Sequence, residues 1–155
     1  MTLPARFLVL SALVLVLGGG LATASGQDAT GRALLRLMPE TLAEYARIQP
    51  QGYSNFATSA YRIDERQIAT LQIHDVRGAG ALAHQRRTCS RWERVGGHRA
   101  CVVQRENNTA LIWVFSDTVQ VMLGAHDEET AKRMAADLEL APMVALARSM
   151  ARPAR

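Results

Sequence analysis

Apolar and polar residues alternate through residues 91–123 in a way that predicts four short antiparallel strands. Three turn signals separate these strands: Gly96-Gly97, Asn107-Asn108 and Ser116-Asp117. Gly-Gly and Asn-Asn suit the positive φ angles of two-residue hairpin turns, and Ser-Asp is a weaker turn signal. The pattern therefore predicts a β-meander over residues 91–123.

Two-residue turns at these positions set a register for the meander. They place Val103 opposite Ile112, and Ile112 opposite Val121, with both partners of each pair facing a dry interior. The interior face then collects Cys101, Val103, Ala110, Ile112, Val114, Val119, Val121 and Leu123. The other face carries Val102, Leu111, Trp113, Phe115 and Met122. We expect a helix to cover this second apolar face, the alternative being that it is a binding surface.

A second hairpin is predicted over residues 60–74, with its turn at Asp64-Glu65. Leu71 and Ile73 alternate with Gln72 and His74, which is the pattern of a strand with one buried face. Residues 49–54 are polar and contain Pro and Gly, so we predict a turn there. Residues 42–48 fit a helix after Pro39 and fit an alternating strand equally well.

Helices are predicted before and after the meander in the chain. Asp127 is a capping residue, and an apolar stripe at helical spacing follows it through residues 128–138. Pro142 begins a further apolar segment, for which we predict a short helix, and residues 81–85 predict another. The fold class is therefore α+β: a curved antiparallel sheet of about five to six strands, with the C-terminal helix and other short helices packed on one face.

The N-terminal residues predict an export signal. Arg6 precedes an apolar run over residues 7–17, and Ala22-Thr23-Ala24 is a small-residue cleavage site. We expect cleavage after Ala24, which leads to a periplasmic or secreted protein; a retained membrane anchor is the alternative. Residues 25–31 are predicted to be a flexible leader, residues 32–150 a single domain, and residues 151–155 a tail.

Charge narrows the range of partners. The whole chain of 155 residues carries a formal net charge of +4. Loss of Arg6 with the signal peptide leaves about +3 on the exported part, a modest excess. Nucleic acid is therefore not expected as a partner of this exported protein.

The chain has two cysteines, Cys89 and Cys101, and we predict that they form a disulfide in an oxidising compartment. The Gly96-Gly97 turn places Trp92 opposite Cys101, so a regular strand would carry Cys89 away from its partner. A bridge therefore requires the chain to leave the strand before Arg91, through a bulge or loop at residues 88–90. Free thiols and metal ligation are the alternatives.

The sequence contains few residues arranged for catalysis or metal binding. His98 and Cys101 have the spacing of a zinc ligand pair, but the register puts them on opposite faces of one strand. Cys101 in mid-strand is the pattern of a core residue, and the chain has no Gly-x-Ser-x-Gly nucleophile turn. Its paired carboxylates lie at a turn and at a helix start, and it has no phosphate-binding glycine loop. We predict no catalytic residue, no metal and no cofactor.

Four basic residues predict an anion-binding patch: Arg86, Arg87, Arg94 and Arg99. Arg94 and Arg99 lie opposite each other in the first hairpin, and such a like-charge pair is mildly destabilising unless an anion lies over it. A carboxylate of the same protein is one candidate for that anion. An anionic partner, such as a lipid headgroup or an acidic envelope polymer, is the other.

The order of parts resembles small, uncharacterised exported bacterial proteins, and more distantly the PsbP-like α+β sandwich. The matching pieces are TLQIHD, RVGGHRACVV, the hairpin TALIWVF with TVQVML, and the closing helix HDEETAKRMAADLEL. The resemblance implies helices packed on an antiparallel sheet and a non-enzymatic role at the cell envelope. It covers about half of the chain and carries no catalytic residue across.

The expected function is an exported accessory or binding domain whose partner is another envelope protein or an anionic envelope component. Two alternatives stay open. One is a small envelope enzyme that uses Cys101 or a histidine, and the other is a membrane-anchored subunit with an uncleaved leader.

Overall fold

A computed structural model describes residues 29–63 and 65–151. The predicted signal peptide and cleavage site, residues 25–28 of the predicted leader, Asp64 of the predicted turn and residues 152–155 of the predicted tail lie outside the described residues.

Eight strands and four helices make up the described chain. The strands are β1 (Thr41–Leu42), β2 (Tyr45–Gly52), β3 (Phe56–Ile63), β4 (Arg66–Asp75), β5 (Trp92–Val95), β6 (His98–Arg105), β7 (Asn108–Phe115) and β8 (Val119–Ala125). The helices are α1 (Ala29–Leu35), α2 (Ala81–Thr88), α3 (Glu128–Asp137) and α4 (Ala141–Met150). In the part of the chain that the structure describes, no helix has the length and hydropathy needed to cross a membrane.

The strands form one antiparallel sheet in the order β1-β2-β3-β4-β8-β7-β6-β5. Two meanders, β1–β4 and β5–β8, are joined at the centre, where β4 pairs with β8 from Ala69 opposite Ala125 to Asp75 opposite Val119. The predicted alternation of β4 is confirmed, because Leu71 and Ile73 are fully buried. The α+β class is confirmed, but the estimate of five to six strands was too low.

The undercount comes from residues 41–52, which form β1 and β2. Residues 42–48, which the sequence left open between helix and strand, are extended: Leu42 ends β1, Ala43 and Glu44 form a turn, and residues 45–48 belong to β2. The turn predicted for residues 49–54 begins too early, since β2 continues to Gly52 through a register irregularity between Ile48 and Gln51. Gln49 lies in that irregularity with a φ of 49°. A bulge places polar residues inside a strand and breaks the alternation that would have predicted it.

The predicted register of β7 and β8 was wrong. The β7–β8 turn has three residues, Ser116 to Thr118, and Phe115 therefore lies opposite Val119. The third turn residue, Thr118, is buried. Its hydroxyl is satisfied there by the carbonyl oxygens of Phe115 and Ala147, at 3.2 and 3.0 Å. One extra turn residue inverts the faces of β8 relative to β7.

Ile112 and Val121 consequently lie on opposite faces of the sheet. Trp113 pairs with Val121 on one face, and Ile112 pairs with Met122 on the other. The β6–β7 turn also differs, since it comprises Glu106 and Asn107 instead of Asn107 and Asn108. That shift moves the pairing by two positions and leaves the faces of β6 and β7 as predicted, so Cys101 still shares a face with Ile112.

The first hairpin of the second meander agrees with its prediction. Gly96 and Gly97 occupy the turn with φ angles of 60° and 78°, which favour glycine. Trp92 lies opposite Cys101, and Arg94 lies opposite Arg99.

The core lies between one face of the sheet, which we call the core face, and α1, α3 and α4. Fully buried side chains on the core face are Tyr61, Leu71, Ile73, Leu111, Trp113, Val119, Val121 and Leu123. The helices contribute Leu34, Ala131, Met134, Ala135, Met143 and Ala147. The expectation that a helix covers Leu111, Trp113 and Phe115 is confirmed, because α3 and α4 pack against β7 and β8. Met122, predicted with them, faces away.

The C-terminal helices begin as the sequence predicts. Asp127 is the N-cap of α3, and its carboxylate accepts a hydrogen bond from the Thr130 amide at 2.7 Å. α4 has Pro142 in its first turn. At the other end of the domain, α1 begins at Ala29, so the last three residues of the predicted leader are helical. Gly31 is required there, because a Cβ would lie 1.8 Å from the Tyr53 carbonyl oxygen.

Ion pairs connect β5 to α3 at the surface. Glu93 of β5 pairs with Arg91 and Lys132, each at 2.6 Å. Glu128 of α3 pairs with the same two cations. Hydrogen bonds from Lys132 and Arg91 hold the pKa of Glu93 below its ordinary value, and bonds from Arg91 and Lys132 do the same for Glu128.

The corrected register predicts unequal effects for two identical substitutions. Val121→Thr places a hydroxyl in the core and should lower the free energy of unfolding by about 1–3 kcal/mol. Val114→Thr on the opposite, half-buried face should change it by no more than about 0.5 kcal/mol. Urea denaturation of both variants checks this. Equal losses would contradict the three-residue turn and support a two-residue turn, with which Val114 and Val121 would both face the interior.

The ion pairs predict a pH dependence of stability. A carboxyl whose pKa is lowered on folding stabilises the protein above its unfolded pKa, and that contribution is lost as the pH falls. Glu128→Gln should therefore be less stable than the wild type at neutral pH, and the difference should shrink as the pH falls below the ordinary value of 4.5. Denaturation from pH 7 to pH 3 measures the difference. Glu106→Gln, in an exposed turn, is the control, and a pH-independent difference for Glu128→Gln would contradict the prediction.

Candidate functional site

The sheet face opposite the core, which we call the outer face, is only partly covered. Most of its side chains are half-buried. They include Thr58, Thr70, Gln72, His74, Val103, Ala110, Ile112, Val114, Gln120 and Met122. α2 is the helix that packs on this face, where it contacts β7.

Two hydrogen bonds hold α2 against the outer face. The Asp117 carboxylate accepts a bond from the Leu82 amide at 2.8 Å and so caps the first turn of the helix from the β7–β8 turn. Gln85, the buried residue of α2, donates from its side-chain amide to the Ile112 carbonyl oxygen at 2.8 Å. The helix itself offers no capping side chain, since Gly80 is its N-cap.

The Cys89–Cys101 disulfide fastens the other end of α2. Cys89 is the C-cap of the helix, Cys101 is in β6, and their Cα atoms are 5.8 Å apart. The predicted pair is confirmed, and so is the requirement that the chain leave strand structure before Arg91. Both cysteines of the chain are in this bridge, so no cysteine sulfur is free in the oxidised protein to act as a nucleophile or metal ligand.

A groove with a volume of about 410 Å³ lies on the outer face, over β4, β6, β7 and β8. Its lining residues are Thr70, Val103, Arg105, Asn108, Ala110, Ile112, Met122 and Gly124. Binding sites for small molecules commonly have such a volume and combine an apolar lining with a few polar groups. Here four apolar side chains provide the lining, and the polar groups lie at one end.

Arg105, Asn108 and Thr70 supply the polar end of the groove. Arg105 is exposed at the end of β6 and presents the single charge of the lining. Gly124 adds no side chain to the groove, and a Cβ at this position would lie in tight contact with the Thr70 hydroxyl oxygen, at 3.3 Å. The groove can therefore accommodate an apolar chain whose anionic end meets a guanidinium group.

The predicted anion-binding patch is brought together only in part. Arg94 and Arg99 are paired across β5 and β6, and the Arg99 guanidinium lies 4.2 Å from the centroid of the Trp92 ring. Arg86 and Arg87 are exposed on the last turn of α2. Among residues 29–63 and 65–151, no carboxylate is within salt-bridge distance of any of these four arginines. Anion binding by the patch stays a prediction.

The four histidines of the chain occupy separate places. His74 stacks on Phe56 with ring centroids 5.2 Å apart, and burial lowers the pKa of its imidazole. His98 meets Phe115 edge to face. His126 pairs with Asp127 at the surface, and His84 is exposed on α2. Within the described ranges, no three His, Cys, Asp or Glu side chains converge as metal ligands.

Sequence reasoning missed the groove because the wrong register separates the residues that line it. Under that register, three of the eight lining residues, Val103, Ala110 and Ile112, face a dry interior, and Met122 faces the opposite side. The alternation of Thr70, Gln72 and His74 in β4 was the available signal, since β4 pairs directly with β8. Polar residues on that face indicate that it meets solvent.

Comparisons with known proteins leave the fold and site to be interpreted on their own terms. No protein-family model, characterised protein or solved structure matches the chain. The PsbP-like resemblance therefore stays a prediction.

Removal of the disulfide should destabilise the protein substantially. The bridge closes a loop with a sequence separation of 12 residues. Chain entropy for a loop of this length gives roughly 3 kcal/mol. We expect Cys89→Ala/Cys101→Ala to lose about this free energy of unfolding in urea denaturation. Reductant should lower the wild-type midpoint and leave the variant unchanged. A wild-type midpoint that is insensitive to reductant would contradict the prediction.

Proposed function

We propose that this protein is an exported, non-enzymatic binding domain of the bacterial cell envelope, and that it binds an anionic amphiphile on its outer face. The observation that carries the proposal is the groove on the outer face. Its apolar floor is formed by side chains of β6, β7 and β8, which are paired strands of the sheet. A floor built on paired strands favours binding, because little order has to be created when a ligand enters.

The composition of the groove supports the ligand class. Val103, Ala110, Ile112 and Met122 provide the apolar part, and burial of a ligand chain there gains about 0.8 kcal/mol per methylene group. Arg105 at one end favours a carboxylate or phosphate.

Export is supported by two independent features. The N-terminal sequence carries an apolar run and an Ala-x-Ala site, which predict a cleavable signal. The two cysteines of the chain form a disulfide, as is typical of proteins in oxidising compartments. If the N-terminal segment is retained, the same binding face belongs to a membrane-anchored subunit.

A non-catalytic role is supported by the surroundings of the candidate nucleophile and bases. Cys101 has its sulfur in the disulfide, and no histidine is among the residues that line the groove. Binding through the groove needs neither group.

Calorimetric titration with oleate, oleyl alcohol and oleylamine tests the proposal. We expect saturable binding of oleate in a one-to-one complex, with oleylamine weaker by about tenfold because its cation meets Arg105. Arg105→Gln should reduce the affinity for oleate by about tenfold and leave that for oleyl alcohol unchanged. Ala110→Phe should abolish binding by filling the groove.

Matched controls are available on the same face. Thr58→Phe adds the same ring outside the groove, and Arg94→Gln removes a guanidinium group at the predicted patch; both should bind like the wild type. Absence of saturable oleate binding would contradict the proposed ligand class. Full affinity in Ala110→Phe, or loss in Arg94→Gln instead of Arg105→Gln, would contradict the assignment to the groove.

A further inference from the structure

A second concave site lies at the other end of the domain, between α1 and β2. It has a volume of about 550 Å³. Its lining residues are Arg32, Leu35, Arg36, Met38, Pro39, Glu40, Arg47 and Pro50. We call it the arginine groove. It shares no lining residue with the groove on the outer face, so the inference below stands independently of the proposed function.

Positive charge dominates the arginine groove. Arg32 is in α1, and Arg36 lies in the turn after it, where its amide donates to the Arg32 carbonyl oxygen at 3.1 Å, so the two arginines are one turn apart. Arg47 reaches the groove from β2. Glu40 is the one carboxylate of the lining. In residues 29–63 and 65–151, none of the three arginines forms a salt bridge. Like charges one turn apart repel each other, and a bound anion would relieve that repulsion.

The neighbouring carboxylates offset only part of this charge. Arg36 also lines an adjoining, smaller groove of about 300 Å³, which carries Asp137 and Glu139. Arg32 and Arg47 are not among the residues that line it. Asp137 and Glu139 therefore share a groove with Arg36 and not with Arg32 or Arg47.

The floor of the arginine groove is fixed in place by two side-chain hydrogen bonds. Arg47 donates from Nη1 to the Met38 carbonyl oxygen at 2.7 Å. Tyr61 donates from its hydroxyl to the Pro39 carbonyl oxygen at 2.8 Å. These bonds hold the segment after α1 in one position, and they leave the remaining donors of Arg47 available to a ligand. A fixed guanidinium group loses less conformational entropy when it binds an anion.

Apolar residues border the charged ones. Leu35, Met38, Pro39 and Pro50 share the lining with the arginines. A free inorganic anion would use only the guanidinium groups, whereas a lipid headgroup at a membrane surface also places glycerol and acyl carbons beside apolar side chains. The mixed lining therefore favours a lipid over a soluble anion.

The position of α1 in the chain points to the same partner. A retained membrane anchor would comprise residues 7–24, and α1 begins five positions after it at Ala29. Five extended residues span at most about 17 Å. While the N-terminal segment is in a membrane, whether before cleavage or permanently, the arginine groove is thus held close to that membrane's surface.

We propose that the arginine groove binds the phosphodiester headgroup of anionic phospholipids and attaches this end of the domain to a membrane surface. Guanidinium groups suit phosphate because their donors match its oxygens in pairs. A polybasic site near an anionic leaflet gains about 1 kcal/mol per cation, and the gain weakens as salt rises.

Flotation with vesicles tests the proposal on the exported protein as recovered from the cell envelope. We expect binding to vesicles that mix phosphatidylglycerol with phosphatidylcholine, and none to phosphatidylcholine alone. Arg32→Gln/Arg36→Gln, at two exposed positions, should weaken binding roughly 10- to 30-fold. Arg47→Gln should weaken it further, and its thermal unfolding shows whether the fold is kept. Arg77→Gln/Arg148→Gln removes the same net charge at two exposed positions outside the arginine groove and the predicted patch, and should bind like the wild type.

Three results would overturn the proposal. Equal losses in the two double variants would mean general attraction of a basic protein to an anionic surface. Unchanged binding in Arg32→Gln/Arg36→Gln would place the contact elsewhere. Saturable binding of inorganic phosphate in calorimetry, with no flotation, would assign the groove to a soluble anion instead of a membrane.

Discussion

The three-residue turn from Ser116 to Thr118 determines which side of the central hairpin faces the helices, and most of the architecture depends on it. Thr118 is buried and donates to the Ala147 carbonyl oxygen of α4 on the core side. Asp117 accepts from the Leu82 amide and caps α2 on the outer side. The same three residues therefore set the pairing of β7 with β8 and anchor one helix on each face of the sheet. A two-residue turn would reverse β8 and place Val121 on the outer face.

The unequal covering of the two faces follows from these anchors. α1, α3 and α4 enclose the core face, where Trp113 is fully buried and its indole nitrogen donates to the Val95 carbonyl oxygen at 3.3 Å. On the outer face α2 is fastened by Asp117, by Gln85 and by the disulfide, and the groove is lined by strand residues outside that helix. The arginine groove depends on a different junction, the one between α1 and β2.

Sequence patterns predicted the elements whose residues have one clear environment. Leu71 and Ile73 alternate with polar residues and revealed the faces of β4, Asp127 marked the start of α3, and Gly96-Gly97 placed Trp92 opposite Cys101. β7 could not be oriented in this way because it is apolar on both sides, so either face fitted a core. Its orientation depends on Thr118, whose buried hydroxyl donates a hydrogen bond to the Ala147 carbonyl oxygen of α4, far along the chain. Both grooves were missed for related reasons: one needs the correct register, and the other needs Arg47 to lie beside α1, a tertiary contact with no local signature.

Side-chain contacts across β7 and β8 provide the most direct test of this account. Residues directly opposite each other in an antiparallel pair have Cβ atoms about 4.5–5.5 Å apart, close enough for nuclear Overhauser effects. NMR on the oxidised protein should show such effects between the Trp113 ring and the Val121 methyl groups, and between the side chains of Ile112 and Met122. Strong effects between the methyl groups of Ile112 and Val121, with none from Trp113 to Val121, would contradict the three-residue turn and the outer-face groove that depends on it.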